Sequence, residues 1–156
     1  MVTETRAELM ATDFAPFKAL NTMPAAMTAH VVFRDIDPSA PASTSSIVTS
    51  EIIRGAIGFN GLLMSDDLTM KALSGPMRQR AEAVIAAGSD LALHCSGDLS
   101  EMADAAAGSG RLEGRAQARF DAAIKVTKAT KPFDSTAAEA QLAKVLAFAA
   151  GSAESV

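Results

Sequence analysis

Gly61-Leu62-Leu63-Met64-Ser65 runs without a break into Asp66-Asp67-Leu68-Thr69. An apolar run of this length, opened by a glycine and followed by acidic and hydroxyl residues, predicts a strand buried on both faces with carboxylates at its C-terminal end. Two further runs read the same way. Residues 25–33, AAMTAHVVF, end in β-branched residues and predict one strand; Asp90-Leu91-Ala92-Leu93-His94-Cys95 predicts another, closed by the turn Ser96-Gly97-Asp98.

Helical segments fill the intervals. Residues 4–20 carry Phe14, Phe17 and Leu20 on one helical face, with Thr12 or Asp13 as the N-cap. The stretch RDIDPSAPAS is a loop, since Pro38 and Pro41 preclude a continuous element. Ser43, Thr44 or Ser45 then offers an N-cap to a helix bearing Ile47, Val48, Ile52, Ile53 and Ile57, which ends at Gly58. Residues 76–87 predict a helix with Pro76 at its first position and Gly88 after its end. Further helices are expected at 99–107 and 113–130. After a break at Pro132, an Ala-rich helix follows near 135–149, with residues 151–156 as a frayed tail.

Strand and helix alternating through short turns is the pattern of parallel βα units, so the fold class is α/β. About three units are visible, whereas a closed (β/α)₈ barrel takes roughly 250 residues. The pattern leaves either a small open sheet or part of a barrel. Residues 1–130 form the α/β domain on this reading, and 131–156 a C-terminal helical tail.

Composition narrows the partners. The 156 residues are 49% hydrophobic and 4% aromatic, with no Trp or Tyr and a net charge of -4. A nucleic-acid surface would need clustered Lys/Arg and stacking rings, so none is expected. No run approaches the roughly 18 apolar residues that span a bilayer. The polar start MVTETRAELMAT lacks the basic and apolar regions of a secretory signal, and the single Cys95 fits a reducing compartment; the cytoplasm is the expected location.

In parallel α/β sheets the loops leaving the C-terminal strand ends build the active site. His30, the pair Asp66-Asp67, and His94 fall at those ends. For the Asp pair, catalysis, a turn or N-cap that closes the strand, and a hard-oxygen Mg²⁺ site helped by Asp35 or Asp98 are the three readings the residue types permit. Each histidine is either a hydrogen-bonded core residue or part of the site. Cys95 reads as a small buried residue with no basic neighbour to lower its thiol pKa, and Met64, Met70 and Met77 as core filling.

PAAMTAHVVFRDIDPSAPAS, EIIRGAIGFNGLLMSDDLTMKALSG and RAEAVIAAGSDLALHCSGDLSEM strongly resemble the C-terminal part of the glycoside hydrolase family 3 β-N-acetylglucosaminidases, the β-hexosaminidases of bacterial peptidoglycan recycling. The resemblance covers roughly residues 12–123. GFNGLLMSDDLTMKAL looks like the family's nucleophile strand, in which the Asp directly after the Met-Ser pair attacks the anomeric carbon; this places the nucleophile at Asp66. His30, Asp67 and Met70 go with it as candidate substrate-binding residues. The three strands are then the last three of a (β/α)₈ barrel.

The resemblance implies a retaining glycosidase that removes terminal non-reducing β-N-acetylglucosamine residues, with muropeptide-derived sugars as substrates and neither metal nor cofactor. Such an enzyme needs a carboxylate that attacks the sugar and a second group that protonates the leaving oxygen. In this branch of the family the second group is a histidine in a Lys-His-Gly type of loop, and nothing in these residues matches it. The alternative is a non-catalytic sugar-binding or interaction module derived from the barrel's later half. Three units taken alone would expose two long apolar edges, so self-association, or a missing N-terminal half, is expected to cover them.

Overall fold

The computed structural model describes residues 1–129 and 132–153. Met1–Val126 forms one compact unit and Thr127–Val156 a second. The centre of the first is a three-stranded parallel sheet in the order β1 (Ala25–Met27), β2 (Leu62–Asp67), β3 (Leu91–Leu93). β1 pairs with β2 from Ala25 opposite Leu62 to Met27 opposite Met64. β2 pairs with β3 at Met64 opposite Leu91 and Asp67 opposite Leu93, with an irregularity between. Three residues of β2 therefore span two of β3, as at a β-bulge.

The chain leaves β1 earlier than its apolar run suggests. Thr28 still gives its N–H to Met64 at 2.9 Å, but the carbonyls of Ala29 and Val31 accept from Ser43 and Ala42 instead. The expected strand 25–33 is thus cut to its first three residues, because the short 3₁₀ turn Ala42–Thr44 competes for its backbone. β3 likewise covers three residues of the expected six. The two outer strands consequently present short edges rather than long ones.

Helices flank the sheet, but only β2 is buried as expected: β3 is half-buried and β1 ends on Met27, which is 51% exposed. The short helix expected around Phe14, Phe17 and Leu20 is α2 (Ala15–Ala19), and a further helix, α1 (Arg6–Ala11), precedes it. The cap is neither Thr12 nor Asp13: Thr5 opens α1 with a capping box to Glu8, and α2 starts at Phe14 without a side-chain cap. The isoleucine-rich segment is a π-helix, Val48–Ala56, closed by Ile57 N–H donating five residues back to Ile52. Among the three candidate caps, Ser45 provides the hydroxyl that accepts the Val48 N–H, at 3.1 Å. α3 (Met77–Ala86) has Pro76 as its N-cap, one position outside the helix, and is followed by Gly88 with φ +106°. α4 (Leu99–Ser109) starts on Asp98, whose side chain accepts from Ser100 and Glu101, and α5 covers Gly114–Lys128.

Two apolar clusters result. Leu9, Phe14, Val48, Ile52, Phe59 and Leu63 fill one side of the sheet, where Phe14 meets Phe33 edge to face at 5.4 Å. Leu68, Leu73, Ala81, Val84 and Ala105 join the β2–α3 connection to α3 and α4. The N-terminal ends of β2 and β3 are tied by charge. Asp90, with its side chain 5% exposed, binds Arg54 and Arg119, each at 2.9 Å, and accepts the Leu63 N–H at 2.9 Å.

In the second unit Asp134 accepts the Ala137 N–H at 2.9 Å ahead of α6 (Ser135–Ala153). Residues 151–153 of the expected tail belong to this helix; 154–156 lie outside the described residues. No helix among the described residues is long and apolar enough to cross a membrane.

Candidate active site

The bulge in β2 sets the geometry. Ser65, fully buried, turns its hydroxyl into the ladder, where it accepts the Leu93 N–H at 3.0 Å and donates to the Asp66 carbonyl at 2.8 Å. The pairing resumes with Leu68 N–H on the Leu93 carbonyl at 2.8 Å. Asp66 and Asp67 thus lie on a bent segment of β2 at the C-terminal edge of the sheet, the kind of place where bulges commonly re-aim side chains.

The two carboxylates meet different surroundings. Asp67 Oδ1 accepts the N–H groups of Thr69 at 3.0 Å and Cys95 at 3.1 Å, and Oδ2 accepts the Thr69 hydroxyl. Burial works against its charge, but the Thr69 hydroxyl, these two N–H groups and the nearby His94 outweigh it and hold the carboxyl below the usual range. Asp66 accepts one bond, from Asp67 N–H to Oδ1 at 2.8 Å. Its Oδ2 makes none among the described residues.

His30 stands at the point where the chain departs from β1. Its Nε2 meets the Asp67 carbonyl at 2.9 Å and its Nδ1 the buried Ser43 hydroxyl at 2.6 Å. A carbonyl can only accept, so Nε2 carries the proton, and in the neutral ring Nδ1 accepts from Ser43. Both ring nitrogens are engaged by the chain, and His30 braces the end of β2. Met70, in the loop beyond, is 44% exposed and so does not fill the core. Met77 packs against the second apolar cluster.

Cys95 is exposed, contrary to the expectation of burial, because the chain turns out of the sheet after Leu93. Local desolvation and then the adjacent Asp67 raise its thiol pKa, so the thiol stays protonated. Arg80 of α3 is a site-forming residue without a local sequence signal. Its N–H groups end on the carbonyls of Leu68 at 2.8 Å and Gly75 at 2.9 Å, pinning the loop that carries Met70. Among the described residues no three His, Cys, Asp or Glu side chains are placed to hold a metal ion.

A parallel sheet with helices and carboxylates at its C-terminal edge makes this an α/β domain, and that edge is where such domains carry their sites. The particular family follows from comparison. Residues 1–128 match the model of the glycosyl hydrolase family 3 N-terminal domain, and the chain belongs to that family. It is similar to the β-hexosaminidase of Tolumonas auensis, 42% identical over 94 residues, which are 57% of this chain and 28% of that protein. That of Bordetella avium is 41% identical over 98 residues, covering 60% and 28% respectively. Among solved structures, the family 3 β-N-acetylglucosaminidase from Paenibacillus sp. superposes with a TM-score of 0.67 at 28% identity, over 86% of this chain and 29% of that one. NagZ from Neisseria gonorrhoeae in complex with N-trifluoroacetyl-D-glucosamine gives 0.64 at 31%, over 82% and 40%. The chain therefore spans little more than a quarter of the length of the curated relatives it matches.

Proposed function

We infer that this chain carries the nucleophile strand of a retaining β-N-acetylglucosaminidase, with Asp66 as the nucleophile. The supporting observation is the division between the two aspartates: Asp67 has both oxygens committed to closing the loop, whereas Asp66 keeps Oδ2 free at the strand end. In the first step the Asp66 carboxylate attacks the anomeric carbon and the glycosidic oxygen departs with a proton from an acid. In the second, water attacks the same carbon and releases Asp66. The three βα units act as the last three of a (β/α)₈ barrel, and the acid/base comes from residues outside this segment. Residues 1–130 form the barrel-derived domain and 131–156 its helical tail.

Beside the nucleophile, His30, Asp67 and Met70 are assigned to substrate binding. The substrate is a small N-acetylglucosamine-containing carbohydrate of the muropeptide type, handled in the cytoplasm during peptidoglycan recycling. Either self-association or a preceding half-barrel covers the sheet edges. Turnover of an aryl β-N-acetylglucosaminide with a good leaving group tests the reading, because such a substrate tolerates a missing acid. Loss of turnover in Asp66→Asn supports it, and turnover that survives the substitution overturns it.

A further inference from the structure

The turn after β3 holds a side-chain cluster that the nucleophile assignment does not use. His94 has its side chain 7% exposed, and its Nε2 meets Glu101 Oε2 and Ser96 Oγ, each at 3.1 Å. The Ser96 hydroxyl donates to the same Glu101 oxygen at 2.8 Å and accepts the Asp98 N–H at 3.1 Å. Asp98 in turn accepts the first N–H groups of α4, from Ser100 and Glu101. A ring nitrogen that faces a carboxylate carries the proton, so Glu101 and Ser96 fix the imidazole through Nε2–H. Nδ1, on the other side of the ring, is buried with no partner. Buried polar atoms are rarely left so, and one that is draws attention to what the ring does there.

Immediately after the imidazole comes the N–H that reaches the candidate site: Cys95 donates to Asp67 Oδ1 at 3.1 Å. We propose that His94 is a positioning residue for the carboxylate face: clamped by Glu101, it fixes the 94–98 turn so that the Cys95 N–H stays on Asp67 beside Asp66. This rests on the reading of Asp66 as nucleophile.

The charges around the ring favour that role. Asp67 of β2 and Glu101 of α4 both lie within electrostatic reach of the ring, and Asp98 of the turn adjoins Glu101. α3 packs on β3 and α4, and its Arg80 is spent on backbone carbonyls of the loop. Without the imidazole the turn keeps Ser96 and Asp98 on α4 but loses the buried ring beside Cys95, and a displaced Cys95 N–H leaves Asp67 with the two donors of Thr69. The loop between Asp66 and Met70 then loses its side-chain tie to the turn after β3, while the Leu68 N–H stays on the Leu93 carbonyl.

The test is nuclear magnetic resonance on the full labelled chain, following the Asp67 carboxyl carbon against pH and hydrogen exchange at the Cys95 amide. In His94→Asn the Asp67 carboxyl is expected to titrate at higher pH than in the unsubstituted chain, and the Cys95 amide to exchange several-fold faster. The remote Asp37 carboxyl, held by Ser39 and Ser45, serves as the unchanged reference. A folded variant with Asp67 titration and Cys95 exchange both unchanged overturns the proposal. Should His94→Asn fail to fold, Glu101→Gln keeps the ring and removes the charge that clamps it: faster Cys95 exchange supports the proposal and unchanged exchange overturns it. Neither readout needs turnover, so an inactive chain would count against the nucleophile reading while leaving this test intact.

Discussion

The Ser65 hydroxyl occupies the place of a main-chain acceptor in the β2–β3 ladder, taking the Leu93 N–H at 3.0 Å. Because the same oxygen donates to the Asp66 carbonyl, one buried side chain both completes the sheet and sets the bend that presents Asp66. Ser65→Ala removes the acceptor and leaves the Leu93 N–H unpaired in the interior. The expected loss is about 1–3 kcal/mol, read from urea denaturation midpoints.

Asp90 neutralises two guanidinium groups at the opposite end of the sheet. Burial and the neighbouring Arg119 both work against the Arg54 charge, and Asp90 opposes them. Asp90→Asn leaves Arg54 and Arg119 partly buried without a counter-charge and is expected to cost about 3–5 kcal/mol. Thermal denaturation checks this, and the loss should exceed that of Glu82→Gln, whose surface pair with Arg78 is worth at most about 1 kcal/mol.

Acid should weaken the fold through two carboxylates. The Ser39 hydroxyl, then Ser45, hold Asp37 below the usual range, and Asp67 is held low in the same sense. A depressed folded value stabilises the chain above the unfolded value of about 3.9, and that contribution disappears as pH falls through the lower folded value. Urea midpoints measured at neutral pH and below pH 3 should therefore converge more in Asp37→Asn than in the unsubstituted chain.

Gly108 marks where α4 and α3 touch. A Cβ there would lie 2.2 Å from the Arg78 carbonyl oxygen and 2.9 Å from Ala81 Cβ. Gly108→Ala must push the helices apart, at a cost of about 1–3 kcal/mol by the same denaturation measurement. Gly110, with nothing within 4 Å of its added Cβ but φ +67°, should respond through backbone strain alone.

Local patterning carried much of this architecture. The apolar runs at 61–65 and 90–95 located β2 and β3, and the proline and glycine punctuation located α3, because these signals depend on few neighbours. The end of β1 was not legible, since Ala29 and Val31 lose their strand pairing to residues more than ten positions away. The π geometry of Val48–Ala56 was hidden for a related reason: isoleucine spacing reports a buried face, not which carbonyl each N–H reaches. Arg54, Asp90 and Arg119 are dispersed along the chain and have no common local motif. At the candidate site, the Asp66-Asp67 pair was visible as a motif, but the split between a free and a committed carboxylate required Cys95 to fold back from β3.

Turnover of an activated aryl β-N-acetylglucosaminide by the purified chain, run beside Asp66→Asn, tests the central claim most directly. The expected result is measurable turnover in the unsubstituted chain and a fall of several orders of magnitude in Asp66→Asn, up to about 10⁶-fold, as when a protease loses its nucleophile. Equal turnover by the two proteins, or none by either, would contradict the claim that this chain carries a working nucleophile at the end of β2.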